Sequence, residues 1–206
     1  MKYLLLSLPF AVMLATPVMA QMASPEVAPI EALDTALIAT MKSGSASASF
    51  TSRYDSLAPV VKSSLNLPII LQNSVGFLWT TIPAAQQDVL NKLFEQFTVA
   101  SYVNGFSGYG GQQIKILPDE RDVGTKKVVE TQIVSTDGTP PTRLDYVMTD
   151  GDDGWQVTDV LLNGTISKVA VQSSDFSALV VSGNATQLIA ALQAKTAALS
   201  GGALKN

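Results

Sequence analysis

The sequence predicts an α+β fold: N-terminal helices packed on a curved, mainly antiparallel sheet of four to five strands, with a further helix at the C-terminus. Three observations predict it. Between Pro25 and Phe106 apolar residues recur at helical spacing. Between Gln113 and Leu162 short alternating stretches are separated by turn strings such as T-D-G-T-P-P and D-G-D-D-G. After Asn184 the helical period returns. Helices and strands that are segregated along the chain, with the strands contiguous, place helices on one face of an antiparallel sheet. No internal repeat is visible.

In chain order, residues 1–20 read as a signal peptide. Lys2 is its basic start, Tyr3 to Ala15 its apolar centre, and Val18-Met19-Ala20 a small-x-small site that places the cut between Ala20 and Gln21. The apolar run is shorter than the ~20 residues a membrane span needs, and no lipobox cysteine follows. Residues 21–206 are then expected as one domain. Gln21 to Ser24 reads as a loose tail. Val27, Ile30, Leu33, Leu37 and Met41 make Pro25 to Lys42 an amphipathic helix with proline near its start. The Ser/Ala/Gly run from Ser43 to Ser49 is a linker. Tyr54 to Ser64 is the next helix. Asn66-Leu67-Pro68 then opens another, with Asn66 as cap, running through Ile69, Leu71 and Val75 to Trp79. After a turn at Thr80 to Ile82, Pro83 opens the longest helix, which the Gly-rich string after Phe106 ends.

The strands follow: Gln113 to Leu117, Lys126 to Ser135, Arg143 to Thr149 and Trp155 to Leu162. In the last of these Trp155, Val157 and Leu161 alternate onto one face, while Val160 and Leu162 lie on the other and imply cover on both sides. Asn163-Gly164 breaks this strand. Ile166, Val169, Ala170 and Phe176 carry apolar content into a turn and a short helix. Asn184, with Gln187 three residues on, starts the last helix as a variant capping box.

Composition excludes several functions. Loss of Lys2 with the leader takes the formal net charge from −4 to −5, so the chain offers no footprint for nucleic acid. It has no cysteine, hence no disulfide framework, and no histidine, the commonest general base and metal ligand. G-F-S-G-Y-G-G follows a helix and precedes a strand, the wrong order for a phosphate-cradling loop, and reads as a mobile loop. D-G-D-D-G at Asp150 to Gly154 begins like a calcium loop, but the bidentate Glu would fall on Leu161, so a hairpin turn is expected. No catalytic residue, metal ligand or cofactor site emerges.

What remains is an apolar constellation. Strands are expected to offer Val129, Ile133, Leu144, Tyr146 and Met148 on one face. Trp155, Val157 and Leu161 extend that face, with Ile166 beyond it. The facing helices offer Phe77, Trp79, Leu93, Phe97, Tyr102 and Phe106. Composition alone reads these as a closed core. Asp159, alternating with Trp155 and Val157, is expected inward, and with Asp145 nearby it requires partners such as Arg121 or Arg143.

The ordered strings around Trp155 change that weighting. G-W-Q-V-T-D-V, N-G-T-I-S, V-Q-S-S-D-F and the terminal L-I-A-A-L-Q-A-K resemble the MlaC/toluene-tolerance family of periplasmic lipid-binding proteins. L-D-Y-V-M, F-T-V-A-S-Y, S-V-G-F-L-W and K-T-A-A-L-S-G-G are similar to its hopanoid-associated branch, HpnM. The resemblance spans Val27 to Gly202. It implies that the space between sheet and helices is an open lipid cavity lined by the residues just named. It further implies a monomeric periplasmic carrier that takes a hopanoid or phospholipid. Such a carrier works with an inner-membrane transporter, of RND or ABC type, and touches membranes only transiently. Two rival classes stand beside it. One is a ketosteroid-isomerase-like enzyme acting on a polycyclic lipid, with Asp159 as base and Tyr146 as donor. The other is a non-carrying adaptor of an exporter, which a solid core would favour.

Overall fold

The computed structural model describes residues 24–204 apart from residue 182; the leader, its cut site and most of the adjoining tail lie outside the described residues. Helix α1 (Ala28–Ser45) has proline in its first turn and buries Ile30, Leu33, Leu37 and Met41, together with Asp34. Helix α2 (Phe50–Ser64) begins earlier than Tyr54, because the Ser49 hydroxyl accepts the Ser52 N–H at 3.1 Å and caps it there. Helix α3 (Leu67–Val75) is capped as expected, with Asn66 Oδ1 accepting the Ile69 N–H at 3.1 Å. It does not reach Trp79. Gly76, at φ 72°, ends the α-helix, and Gly76–Thr81 continues as a 3-10 segment. Helix α4 (Ala84–Gly105) follows Pro83 and packs against both α2 and the C-terminal helix.

The Gly-rich string after α4 is tied down rather than loose. Its Tyr109 N–H donates to the Ser45 hydroxyl at 2.7 Å, and Lys42 Nζ stands 5.1 Å from the Tyr109 ring centroid. Gly44 lets the string approach α1: a Cβ there would come within 2.1 Å of the Ser107 carbonyl oxygen.

Five strands form one sheet in sequence order, every neighbour antiparallel. They are β1 (Gln113–Val123), β2 (Lys126–Val134), β3 (Thr142–Gly151), β4 (Gly154–Leu162) and the short β5 (Ile166–Ser167). Strand β1 runs past Leu117, and its register slips between Ile116 and Glu120, around Pro118, which has no N–H to give to a ladder. Asp150 to Gly154 is the β3–β4 hairpin, with Gly151 paired to Gly154. Helix α5 (Lys168–Phe176) follows β5, and helix α6 (Thr186–Ser200) closes the chain beside α4. Asn184 Oδ1 accepts the Thr186 N–H at 2.8 Å, but the reciprocal partner is not Gln187. The Ala185 N–H donates instead to Gln86 Oε1 of α4, at 2.8 Å, so the cap is built across two helices.

One irregularity decides which side chains face the helices. Met148 pairs with Val157 and Val147 with Asp159, so Thr158 is an extra residue, a β-bulge. Beyond it the alternation of β4 is inverted. Val160 stands opposite Tyr146 and Leu162 opposite Leu144, on the helix-facing side, while Leu161 stands opposite Asp145 on the far side. That far face carries an ion network. Arg121 and Arg143 both bind the buried Asp145, at 2.9 and 2.7 Å, and both bind Glu130, each at 2.7 Å.

Candidate binding cavity

A cavity of about 460 Å³ opens between the C-terminal end of α4, the helix-facing side of β2 to β4, and the start of α5. Helix α4 contributes Ser101, Tyr102 and Phe106; the strands contribute Ile133, Thr142, Leu144, Tyr146, Val160 and Leu162; the chain beyond contributes Ile166, Lys168 and Val171. The size is that of a ligand pocket, not of a packing defect. Tyr102 and Phe106 stack with ring centroids 6.0 Å apart and form the helical wall. The wall is apolar except for hydroxyls and one cation. Of the hydroxyls, Ser101 is spent on the Phe97 carbonyl, to which it donates at 2.7 Å.

The residues expected here divide into three groups. Tyr102, Phe106, Ile133, Leu144, Tyr146 and Ile166 line the cavity. Leu93, Val129, Met148 and Val157 lie in the closed core, with Phe97, Trp155 and Trp79 packed half-buried against it. Phe77 and Leu161 belong to neither. Phe77 is 84% exposed on the 3-10 segment, because the helix it was expected to extend stops at Gly76. Leu161 is on the far face of the sheet, because the bulge at Thr158 inverted the alternation. The same bulge explains why Val160 and Leu162 were missed. Val171 and Lys168 were missed because a helix start after a short strand has no period long enough to read.

The electrostatics are those of a desolvated wall. Burial pushes the Tyr102 hydroxyl up to about 12, with nearby Asp34 adding to the shift. Burial likewise holds Tyr146 well above the ordinary tyrosine value, helped by Tyr102 and Asp34, and its hydroxyl has no hydrogen-bond partner among the described residues. Lys168 Nζ sits 5.2 Å from the Tyr102 ring centroid. Its side chain is exposed to the cavity, yet the surrounding apolar atoms hold its pKa below the usual lysine value, with Asp159 acting the other way.

Asp159 itself is a cap. Its Oδ1 accepts the N–H groups of Val160 (2.8 Å) and Val169 (3.0 Å), and its Oδ2 accepts the Ser167 hydroxyl at 2.5 Å. It anchors the start of α5 to β4. The arginines expected beside it pair with Asp145 instead. Among the described residues no group of three or more acids converges as metal ligands, and no helix is long and apolar enough to cross a membrane.

The architecture is thus a helix-covered antiparallel sheet holding an open apolar cavity. The chain belongs to the MlaC family: the family described as MlaC protein matches residues 31–194. It is similar to a phospholipid-binding protein from Ralstonia solanacearum, solved in complex with a phospholipid, at 18% identity and a TM-score of 0.72. That likeness covers 86% of this chain and 99% of the other, and establishes the α+β fold. No curated protein matches the chain.

Proposed function

We propose that this protein is a periplasmic lipid carrier that encloses the apolar body of one lipid in the cavity between α4, α5 and the sheet. The carrying observation is the cavity itself: about 460 Å³, open to solvent, and walled by Tyr102, Phe106, Leu144, Tyr146, Val160 and Leu162. Membership of the MlaC family and a phospholipid-binding neighbour of the same fold support the reading. The lipid is a hopanoid or a phospholipid, moved between inner and outer membranes beside an inner-membrane transporter. The leader is removed after Ala20, so that export delivers residues 21–206. Binding, not turnover, is the activity: the Asp159 expected as a base is committed to Ser167 and the start of α5.

The test is mass spectrometry of the protein purified from the periplasm. The intact mass should begin at Gln21, and a lipid extract should contain about one lipid per protein. A chain that retains Met1 and sediments with membranes would defeat the localisation. A protein that carries no lipid and takes none from vesicles would defeat the carrier reading.

A further inference from the structure

We infer that Lys168 reads the headgroup of the bound lipid, so that the cavity favours lipids with an anionic head over neutral lipids carrying the same chains. This rests on the carrier reading above. Of the described residues lining the cavity, Lys168 alone is charged. It opens α5 between Ile166 and Val171, which line the same cavity and remain 51% and 53% exposed, so the cation stands at an apolar mouth.

No carboxylate among the described residues reaches the ammonium at ion-pair distance. The acid that acts on it electrostatically, Asp159, already accepts from the Ser167 hydroxyl and from the N–H groups of Val160 and Val169. The contact Lys168 does make is with the face of Tyr102, at 5.2 Å. The ammonium is exposed at the cavity mouth and has no counter-ion among the described residues. A ligand that brings an anion to this position restores the balance, and the apolar body attached to that anion fills the space beneath. A free anion offers nothing to the apolar walls, so the partner is the charged head of an amphiphile. Lys168 thus sets preference by head charge and leaves the shape of the body to Tyr102, Phe106 and the strands.

The experiment loads lipid-free protein from vesicles containing equal amounts of dioleoylphosphatidylglycerol and dioleoylglycerol, and reads the ratio of the two lipids on the protein by native mass spectrometry. Wild type should favour the anionic lipid. Lys168→Met should lower the ratio about tenfold, the scale of one charge-assisted hydrogen bond, and Lys168→Arg should restore most of it. A ratio in Lys168→Met equal to that of wild type, with both proteins loaded, overturns the inference and leaves the carrier reading standing. Wild-type protein that loads neither lipid overturns both. Inorganic phosphate is the second probe. If phosphate alone moves the Lys168 side-chain ¹⁵N resonance as far as the anionic lipid does, the cation serves free anions and the inference fails.

Discussion

Asp34 is a buried acid without a partner that holds it charged. It lies on the buried face of α1, and neither of its carboxylate oxygens has a hydrogen-bond partner among the described residues. Burial first, and the negative charge of Glu31 second, push its pKa up to about 7. The unfolded chain titrates near ~3.9, so between those values the folded state binds the extra proton. Stability is therefore greatest below about pH 4 as far as this group is concerned, and it falls as pH rises towards 7. We expect Asp34→Asn to remove this slope and to be the more stable protein at neutral pH. At 1.36 kcal/mol per pKa unit the difference approaches roughly 4 kcal/mol. Denaturant midpoints of both proteins at about pH 4.5 and pH 7.5 check it; parallel pH dependences would reject it. Asp145 presents the opposite case. It is fully buried but held by Arg121 and Arg143, which themselves reach solvent. Asp145→Ala leaves those two cations hydrated, so we expect a cost of about 1–3 kcal/mol, not the larger penalty of a stranded buried charge. Urea unfolding decides between the two.

At the scale of elements, β4 and the start of α5 carry the site. The bulge at Thr158 puts Val160 into the cavity and leaves Val157 in the closed core, although simple alternation assigns them to opposite faces. Replacing each by Trp separates the two environments. Val160→Trp has open space to enter and should reduce the bound lipid while moving the melting temperature little. Val157→Trp has none, and overpacking should cost ~1–3 kcal/mol, seen as a lower melting temperature. Equal effects of the two on lipid load and melting would refute the assignment. The junction of β4 with α5 yields a milder prediction. Asp159→Asn keeps one oxygen but loses the charge at the helix start, so about 1 kcal/mol of stability should be lost. Its lipid load should persist, because Asp159 is not among the residues that line the cavity. Loss of lipid without loss of stability would return Asp159 to a direct role.

For the whole molecule, the proposed carrier function requires a cavity that binds firmly and still lets go. Removing ~15 methylene equivalents from water is worth on the order of 12 kcal/mol. The same chain moved out of a bilayer gains almost nothing, since it leaves one hydrocarbon environment for another. On that reading, release needs contact with a membrane or partner, not a weakened site. A ligand that binds the folded state alone also stabilises it. Protein stripped of lipid by organic extraction and refolded should melt several degrees below the loaded form, and reloading from vesicles should restore the difference. A melting temperature indifferent to lipid would speak against a bound apolar body.

The sequence by itself determined the segregation of helices from strands, because side-chain period follows directly from backbone geometry and is written locally. It determined the cap at Asn66 and the hairpin at Asp150 to Gly154 for the same reason. The family was legible in ordered strings, and Tyr102, Phe106, Leu144 and Tyr146 were legible as one apolar constellation. Only the tertiary structure decided whether that constellation closes into core or opens into a cavity, since both demand the same residue types at the same spacing. It alone placed the bulge at Thr158, which depends on pairing with β3 and leaves no mark in β4, and so exchanged Leu161 for Val160 and Leu162. It also assigned Arg121 and Arg143 to Asp145 instead of Asp159, because charge partners are chosen by which face of the sheet they share.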